Sequence, residues 1–288
     1  MELTNGTKEK EYIRITEKTL HSFLPLLSEE EQYALQHDTR IYAIGAVCQK
    51  TACGVLVFRI SGEVLDIRYL IVADAFRRQG IATGMVRYLC QHAWAFTIPV
   101  TCTFSATGLE DELYLFFVGL EQFSVAEEQG FYCTISTDRM EDAPFVRMKQ
   151  RSKSYREFFS LSPIARRRFL RMMLNQDIYY LRELREEQCV KPLCLCAVVD
   201  DEVKAAIFIT RGASEKQDLE LSCAWCSHGR EMDLMGLFKQ AFEMLKEEGT
   251  VTLRIAAVTP ASAALVDRLI PHRVVTERFY RAVWDMEL

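Results

Sequence analysis

The sequence predicts an α+β protein made of two tandem domains of similar plan. Its 288 residues suit about two domains, and strand-like and helix-like segments alternate along the whole chain. One segment, residues 63–95, combines an apolar strand, a glycine-containing loop and an amphipathic helix. The two halves also resemble each other, since a shift of roughly 152 residues lays Gly84 on Gly236. Each half is therefore expected to form its own sheet with flanking helices.

The segment 63–95 predicts a strand, a tight loop and a helix N-terminus in that order. Residues 64–72 are apolar and rich in branched and aromatic side chains, which favours a buried or half-buried strand. Residues 77–80, Arg-Arg-Gln-Gly, then interrupt the apolar run. After them, apolar residues recur at helical spacing. These residues are Ile81, Met85, Val86, Leu89 and Cys90.

The loop of this segment is predicted to bind an anion. The first turn of a helix has backbone N–H groups without intrahelical partners, and the helix dipole adds partial positive charge there. Gly80 and Ala82 leave room for an anion to approach the backbone, and Arg77 and Arg78 add positive charge. No Gly-Lys-Ser/Thr follows, and Gly-x-Gly-x-x-Gly is absent, so neither a P-loop nor a dinucleotide-binding loop fits. A phosphate group is the expected ligand. The alternative is an ordinary connection with solvated arginines.

The motif Arg77-x-x-Gly80-x-Ala82 resembles the Arg/Gln-x-x-Gly-x-Gly/Ala signature of the GNAT superfamily of N-acetyltransferases. The resemblance implies tandem GNAT-like domains, each with a mixed, mainly antiparallel twisted sheet flanked by helices. It also implies acetyl-CoA as the acyl donor, with its pyrophosphate in the loop and its pantetheine arm along the preceding strand. The implied cofactor-binding residues are Leu70 and Val72, through backbone atoms, with Arg77, Arg78, Gln79, Gly80, Ile81, Ala82 and Thr83.

The first half contains the other elements that this resemblance implies. Strands are predicted at 12–16, 40–49, 54–60 and 100–105, and a final hairpin at 123–135 with its turn near 128–130. Helices are predicted from the cap Thr16 to residue 26, from the cap Ser28 with Glu31 in a capping box, and at 110–118. The resemblance covers roughly residues 10–150, so a GNAT acetyl-CoA-binding domain is predicted at 1–150.

The second half, 151–288, is predicted to be a degenerate GNAT-like domain that follows a basic, polar linker at 149–156. Strands are expected at 193–199, 203–210, 219–225, 251–258 and 274–284, and helices from residue 162, at 232–246 and at 262–269. In place of the anion loop stand Ser227-His228-Gly229-Arg230-Glu231, so the glycine is displaced and a carboxylate is added. We expect this half to close the substrate cleft or form an interface, without binding acetyl-CoA.

Asp66 is the candidate general base. Strict alternation would place Asp66, Arg68, Leu70 and Val72 on one face of the strand. Several members of the resembling family carry a general-base Glu at about this distance before the loop, and the shorter Asp would favour a base that acts through a water. The alternative is a surface carboxylate paired with Arg68. Glu63 is a weaker candidate.

Tyr114 is the candidate general acid, because the family often uses a tyrosine on the helix after the fifth strand. Thr107 stands where the family has an asparagine, and Tyr114 lies near the tyrosine position with a one-residue slip. The alternative is a core tyrosine, since the residues around it are apolar. A non-catalytic acyl-CoA sensor or interaction protein is the corresponding alternative function.

Composition limits the partners. The formal net charge of −5 argues against a general nucleic-acid binder, and the arginines at 166–168 and 171 fit a solvated helix face. The ten cysteines are expected to be buried free thiols in the cytoplasm, with no metal site. No apolar segment is long enough to span a membrane, and no signal peptide is evident. The acceptor is expected to be a small-molecule or peptide amine, and a homodimer remains open.

Overall fold

A computed structural model describes residues 10–148, 155–175, 186–212, 218–247, 249 and 251–284. The strands are β1 (Lys10–Arg14), β2 (Ile41–Cys48), β3 (Thr51–Ser61), β4 (Val64–Val72), β5 (Val100–Ala106), β6 (Phe123–Ser136), β7 (Tyr155–Glu157), β8 (Leu195–Val199), β9 (Glu202–Arg211), β10 (Asp218–Cys226), β11 (Thr252–Ala257) and β12 (Val274–Trp284). The α-helices are α1 (Glu17–Leu20), α2 (Glu29–His37), α3 (Ile81–Trp94), α4 (Glu112–Val118), α5 (Pro163–Asn175), α6 (Glu231–Glu247) and α7 (Pro260–Leu269). The predicted α+β class is confirmed.

The chain forms two compact units. The first comprises Met1–Glu128 and Phe279–Leu288, and the second comprises Gln129–Arg278. Both divisions fall inside strands, β6 and β12, whereas the predicted boundary lay between residues 150 and 151. The predicted linker lies mostly at 149–154, outside the described residues.

The first unit has a mixed sheet. Its strand order is β1-β2-β3-β4-β5, followed by residues 279–284 of β12 and 123–128 of β6. Strands β1 to β4 pair antiparallel, and β4 pairs with β5 in parallel. The predicted hairpin at 123–135 is wrong, because β6 is one continuous strand through residues 128–130. The strand next to β5 comes instead from the C-terminal end of the chain.

Helices cover both faces of the first unit's sheet. One face packs against α3 and α4, with Met85, Leu89 and Phe117 fully buried. The other face packs against the segment before β2, where Phe23 is 1% exposed. The predicted helix from Thr16 to residue 26 is divided into α1 and a 3₁₀ turn, Leu24–Leu26. Pro25 has no N–H to donate, so it fits the first positions of this turn and a helix does not run through it.

The second unit repeats this plan. Its strand order is residues 274–278 of β12, residues 129–136 of β6, then β11-β10-β9-β8-β7. Strands β10 and β11 are parallel, as β4 and β5 are in the first unit. Helices α6 and α7 pack on one face of the sheet and α5 packs on the other. Among the described residues, no helix has the length and apolarity needed to cross a bilayer.

Candidate functional site

The parallel strands β4 and β5 separate at a β-bulge. On β3, Val57 faces Tyr69 and the next residue, Phe58, faces Ile67, so Arg68 is an extra residue on β4. The pairing of β4 with β5 ends at Ile67 and Cys102. Both strands continue beyond this point, β4 to residue 72 and β5 to residue 106. The edge of β4 that faces β5 is therefore open after the bulge.

Backbone groups of Leu70 and Val72 point into this opening. The Ala73 N–H donates to the Cys53 carbonyl on β3 at 2.9 Å. Because backbone direction alternates along a strand, the N–H and C=O groups of Leu70 and Val72 face the other way, toward the opening. These are the two β4 residues predicted to pair with an extended ligand through their backbone.

The opening leads to the N-terminus of α3, which no side chain caps. Gly80 is the N-cap residue with φ of 74°, and the first turn of α3 contains no acidic residue. By contrast, the Ser28 side chain caps α2 and the Asp111 side chain caps α4. The first N–H groups of α3, from residue 81 on, have no partner within the helix. This helix end has the properties of an anion site.

The arginines of the loop lie in exposed ion pairs. Arg77 contacts Asp74 at 2.9 Å and donates to the Val72 carbonyl at 3.3 Å, and Arg78 contacts Glu112. Exposed pairs of this kind contribute little stability, so they exchange readily for a stronger anion. Both Arg78 and Gly80 have positive φ. No described heavy atom lies within 4 Å of a Cβ built on Gly80, which leaves room for a ligand.

Asp66 lies beside the start of the opening. The Thr101 hydroxyl, on β5, donates a hydrogen bond to its carboxylate at 3.1 Å. Burial raises the pKa of Asp66 above the usual aspartate value, and the hydrogen bond from Thr101 and nearby arginines partly offset this effect. A carboxylate with a raised pKa is a stronger proton acceptor than an ordinary aspartate.

The prediction that Asp66, Leu70 and Val72 share one face of β4 is wrong. Leu65 and Ile67 lie in the same core as Leu70 and Val72, on the α3 side of the sheet. Asp66 therefore points to the opposite side, because side chains alternate along a strand. The bulge at Arg68 causes the change of face, as an extra residue reverses the alternation beyond it.

The alternative interpretation of Asp66 was an ion pair with Arg68. Arg68 contacts α2 instead. Its guanidinium lies 3.4 Å from both Glu30 and Glu31. Glu31 is 5% exposed, and burial raises the pKa of its carboxyl. The direct neighbours of Asp66 in the sheet are Arg59 on β3 and Thr101 on β5. The weaker candidate Glu63 is exposed in the turn between β3 and β4.

Tyr114 lies on α4, on the other face of the sheet from Asp66. It belongs to the α3-side core, and its ring contacts Tyr280 edge-on with the centroids 4.9 Å apart. The structure therefore does not bring the two candidates onto one surface. It places them on opposite faces of a sheet that opens between β4 and β5.

Three residues of this region were not among the sequence-based candidates: Thr101, Tyr280 and Arg281. The signal for Thr101 is its position between buried Val100 and Cys102, which places a polar group on the Asp66 face. The sequence contains no local signal that residues 280 and 281 belong to the first unit.

The second unit has the same opening but a different helix start. Ser222 is an extra residue on β10, and pairing of β10 with β11 ends at Leu221 and Ile255. At the start of α6, the Glu231 carboxylate accepts a hydrogen bond from the Gly229 N–H at 3.1 Å. Backbone hydrogen bonds lower the pKa of Glu231, so the chain's own carboxylate occupies this helix end.

All ten cysteines are free thiols. Cys223 packs in the α5-side core and Cys226 against the α6-side core, so their side chains lie on opposite faces of β10. Within the described ranges, no three histidine, cysteine or acidic side chains are grouped closely enough to hold a metal ion.

Known proteins resemble this chain in one sequence domain and in the fold. Residues 10–106 match the Acetyltransferase (GNAT) family. No curated protein matches the sequence. Among solved structures, the fold is similar to a tandem GNAT protein from the clavulanic acid biosynthesis pathway, determined without AcCoA. The two are 12% identical with a TM-score of 0.56, over 96% of this chain and 98% of that one.

Two further structures share the fold over both units. One is a GCN5-related N-acetyltransferase from Sphaerobacter thermophilus, with 12% identity, a TM-score of 0.53 and coverage of 95% of each chain. The other is a probable N-acyltransferase of unknown function from Enterococcus faecalis V583. It shows 9% identity and a TM-score of 0.58, over 96% of this chain and 72% of that one. The predicted tandem arrangement of two GNAT-like folds is confirmed.

Proposed function

We propose that this protein, an acyltransferase with a GNAT-family domain at residues 10–106, transfers the acetyl group of acetyl-CoA to a primary amine in its N-terminal unit. One observation carries the proposal: the opening between β4 and β5 leads to the uncapped N-terminus of α3. An extended acyl donor with a pyrophosphate matches this arrangement, because its amide groups need strand-like partners and its phosphates need N–H donors.

The position of each residue suggests which part of the donor it would bind. Backbone groups of Leu70 and Val72 would pair with the amides of the pantetheine arm. The N–H groups at Ile81, Ala82 and Thr83 would hold the pyrophosphate next to Gly80. Arg77, Arg78 and Gln79 would contribute side chains from the exposed loop, the arginines after exchanging their present partners for phosphate oxygens.

The chemistry would use the two faces of the sheet separately. The acceptor nitrogen attacks the thioester carbonyl directly, a C–N bond forms and the C–S bond breaks. Asp66 would take the proton from the amine, through a water because its side chain is short. Tyr114 would protonate the departing thiolate from the opposite face. Acceptor and leaving group would thus lie on different sides of the opening.

The second unit would not bind the donor. Glu231 satisfies the Gly229 N–H and brings negative charge to the start of α6, where a phosphate would have to bind. We therefore assign one acetyl-CoA site to each chain. Free thiols at all ten cysteines support a reducing compartment, so we propose the cytoplasm as the location.

Calorimetric titration with acetyl-CoA tests the donor site. We expect one site per chain, and loss of binding in Gly80→Glu. Gly229→Glu is the matched control, because Gly229 also has a positive φ, of 77°, and open space around its α-carbon in the described structure. Unchanged affinity in Gly80→Glu, or two sites per chain, would overturn the assignment.

Release of free CoA in the presence of primary amines tests the transfer step. An enzyme should lose turnover in Asp66→Asn while it keeps its affinity for acetyl-CoA. Donor binding without turnover for any small-molecule, peptide or protein amine would favour the alternative of a non-catalytic acyl-CoA sensor.

A further inference from the structure

Arg281 lies on the Asp66 face of the first unit's sheet. Residues 279–284 of β12 lie between β5 and the first part of β6. Tyr280, Ala282 and Trp284 are buried in the α3-side core, where their relative exposures are 5%, 0% and 6%. Arg281 alternates with them, so its side chain points to the opposite face.

Thr101 points to the same face for the same reason. Val100 and Cys102, its neighbours on β5, are buried in the α3-side core, and the Thr101 hydroxyl reaches Asp66. Three adjacent strands, β4, β5 and β12, therefore contribute Asp66, Thr101 and Arg281 to one surface at the start of the opening.

Charged and titratable side chains near Asp66 lie on its own strand and on the two neighbouring strands. Arg59 lies opposite it on β3, Arg68 follows the next residue on β4, and the Cys102 thiol lies on β5. The hydrogen bond from Thr101 and the positive charges of Arg281, Arg68 and Arg59 all favour the ionised form of Asp66.

The arginines differ in their other contacts. Arg68 is held by the α2 carboxylates of Glu30 and Glu31. The positive charge of Arg59 also helps to lower the pKa of Asp38. Arg281 is exposed, and neither an ion pair nor a hydrogen bond of its side chain to another described residue is found. Of these three arginines, Arg281 is therefore the one without another carboxylate partner among the described residues.

We propose that Arg281 is a positioning residue for Asp66, so that the C-terminal strand of the chain completes the acyl-transfer site of the N-terminal domain. The Thr101 hydroxyl orients the Asp66 carboxylate through its hydrogen bond, and the positive charge of Arg281, on the same face, stabilises the ionised form beside the opening. The inference rests on the proposed function only in taking Asp66 as the base. Its consequence is that no fragment that ends before residue 281 contains the whole site.

Titration of the Asp66 carboxyl by NMR tests the proposal in the ligand-free protein, and so does not depend on acetyl-CoA binding or turnover. We expect Arg281→Gln to move the midpoint upward by at least about 0.3 pH unit and Arg281→Lys to restore it, because an opposite charge favours the carboxylate. Arg268→Gln, which removes an exposed arginine from α7, is the control and should leave the midpoint unchanged. An unchanged midpoint in folded Arg281→Gln would refute the proposal.

The kinetic test separates positioning from donor binding. In Arg281→Gln, kcat should fall several-fold and its acid limb should move to higher pH, while the KM for acetyl-CoA stays the same. Arg281→Lys should recover most of kcat. An equal loss in Arg281→Lys and Arg281→Gln, or a raised KM with kcat intact, would assign Arg281 another role. Absence of turnover in the wild-type protein would contradict the proposed function, whereas the NMR result would still decide the role of Arg281.

Discussion

The hydroxyl of Tyr12 lies against the α-carbon of Gly84, so closely that a Cβ built on Gly84 would stand 1.8 Å from the oxygen. The same relationship recurs in the second unit, where a Cβ on Gly236 would stand 1.9 Å from the hydroxyl of Tyr155. In each unit, a tyrosine of an edge strand, β1 or β7, packs on a glycine of the helix that follows the opening. This recurrence agrees with the alignment of Gly84 on Gly236 that the sequence predicts.

Gly84→Ala and Gly236→Ala should each destabilise the protein, by about 1–3 kcal/mol, because the new methyl group forces a tyrosine away from its helix. Chemical denaturation of both variants checks this. Gly108→Ala is the control, since no described heavy atom lies within 4 Å of a Cβ at Gly108 and its φ is not positive. Wild-type stability in both helix variants would contradict the close contact.

The strand, loop and helix at 63–95 were predictable because their signals are local. Apolar runs, helical spacing and Gly80 at the loop each act within a few residues, and β4 and α3 have the expected positions. The bulge at Arg68 was not predictable, because it depends on the register between β3 and β4. The side-chain direction of Asp66 was therefore wrongly predicted relative to Leu70 and Val72.

The contribution of β12 to the first unit was also not predictable from the sequence. Residues 128–130, Glu-Gln-Gly, have the composition of a turn, yet they lie within β6. Strand neighbours far apart in sequence are selected by packing, and no local pattern connects residue 281 with residue 101. The positions of Thr101, Tyr280 and Arg281 next to the candidate site follow only from the sheet order.

Asp66→Asn should stabilise the protein at neutral pH while it strongly lowers the rate of transfer. Burial raises the folded-state pKa of Asp66. Stability from such a group is fully present below the unfolded-state pKa and is lost as the pH rises through the folded-state pKa. Asparagine is never ionised, so the variant should be more stable than the wild type above the pH range in which aspartate titrates. This difference in the free energy of unfolding should vanish below about pH 4.

Thermal unfolding of both proteins as a function of pH measures this difference. Turnover should fall about 100-fold or more without the base. In the wild type, the acid limb of kcat should lie above the usual aspartate range. Equal melting temperatures of the two proteins at all pH values, with full turnover in the variant, would contradict both roles. Burial of the ionised Asp66 would then not destabilise the protein, and Asp66 would not be the base.

Tyr114→Phe should show whether Tyr114 acts as the general acid or only as a core residue. The ring keeps its edge-on contact with Tyr280, so the free energy of unfolding should change by less than about 1 kcal/mol. If the hydroxyl protonates the thiolate, kcat should fall about 10- to 100-fold, with the KM for acetyl-CoA unchanged. Full activity in the phenylalanine variant would leave Tyr114 as a core tyrosine.

Trp284→Ala should destabilise the first unit and weaken acetyl-CoA binding, although residue 284 is distant in sequence from the loop at 77–83. Trp284 is 6% exposed, and its indole N–H donates to Gln122 at 3.2 Å. Removing a buried tryptophan costs about 3–5 kcal/mol. Trp94→Ala is the matched control, because Trp94 contacts Trp284 edge-on but is 58% exposed, and it should cost much less. Denaturation followed by calorimetry with acetyl-CoA measures both effects. If Trp284→Ala kept wild-type stability and affinity, the C-terminal strand would not be needed to complete the N-terminal unit.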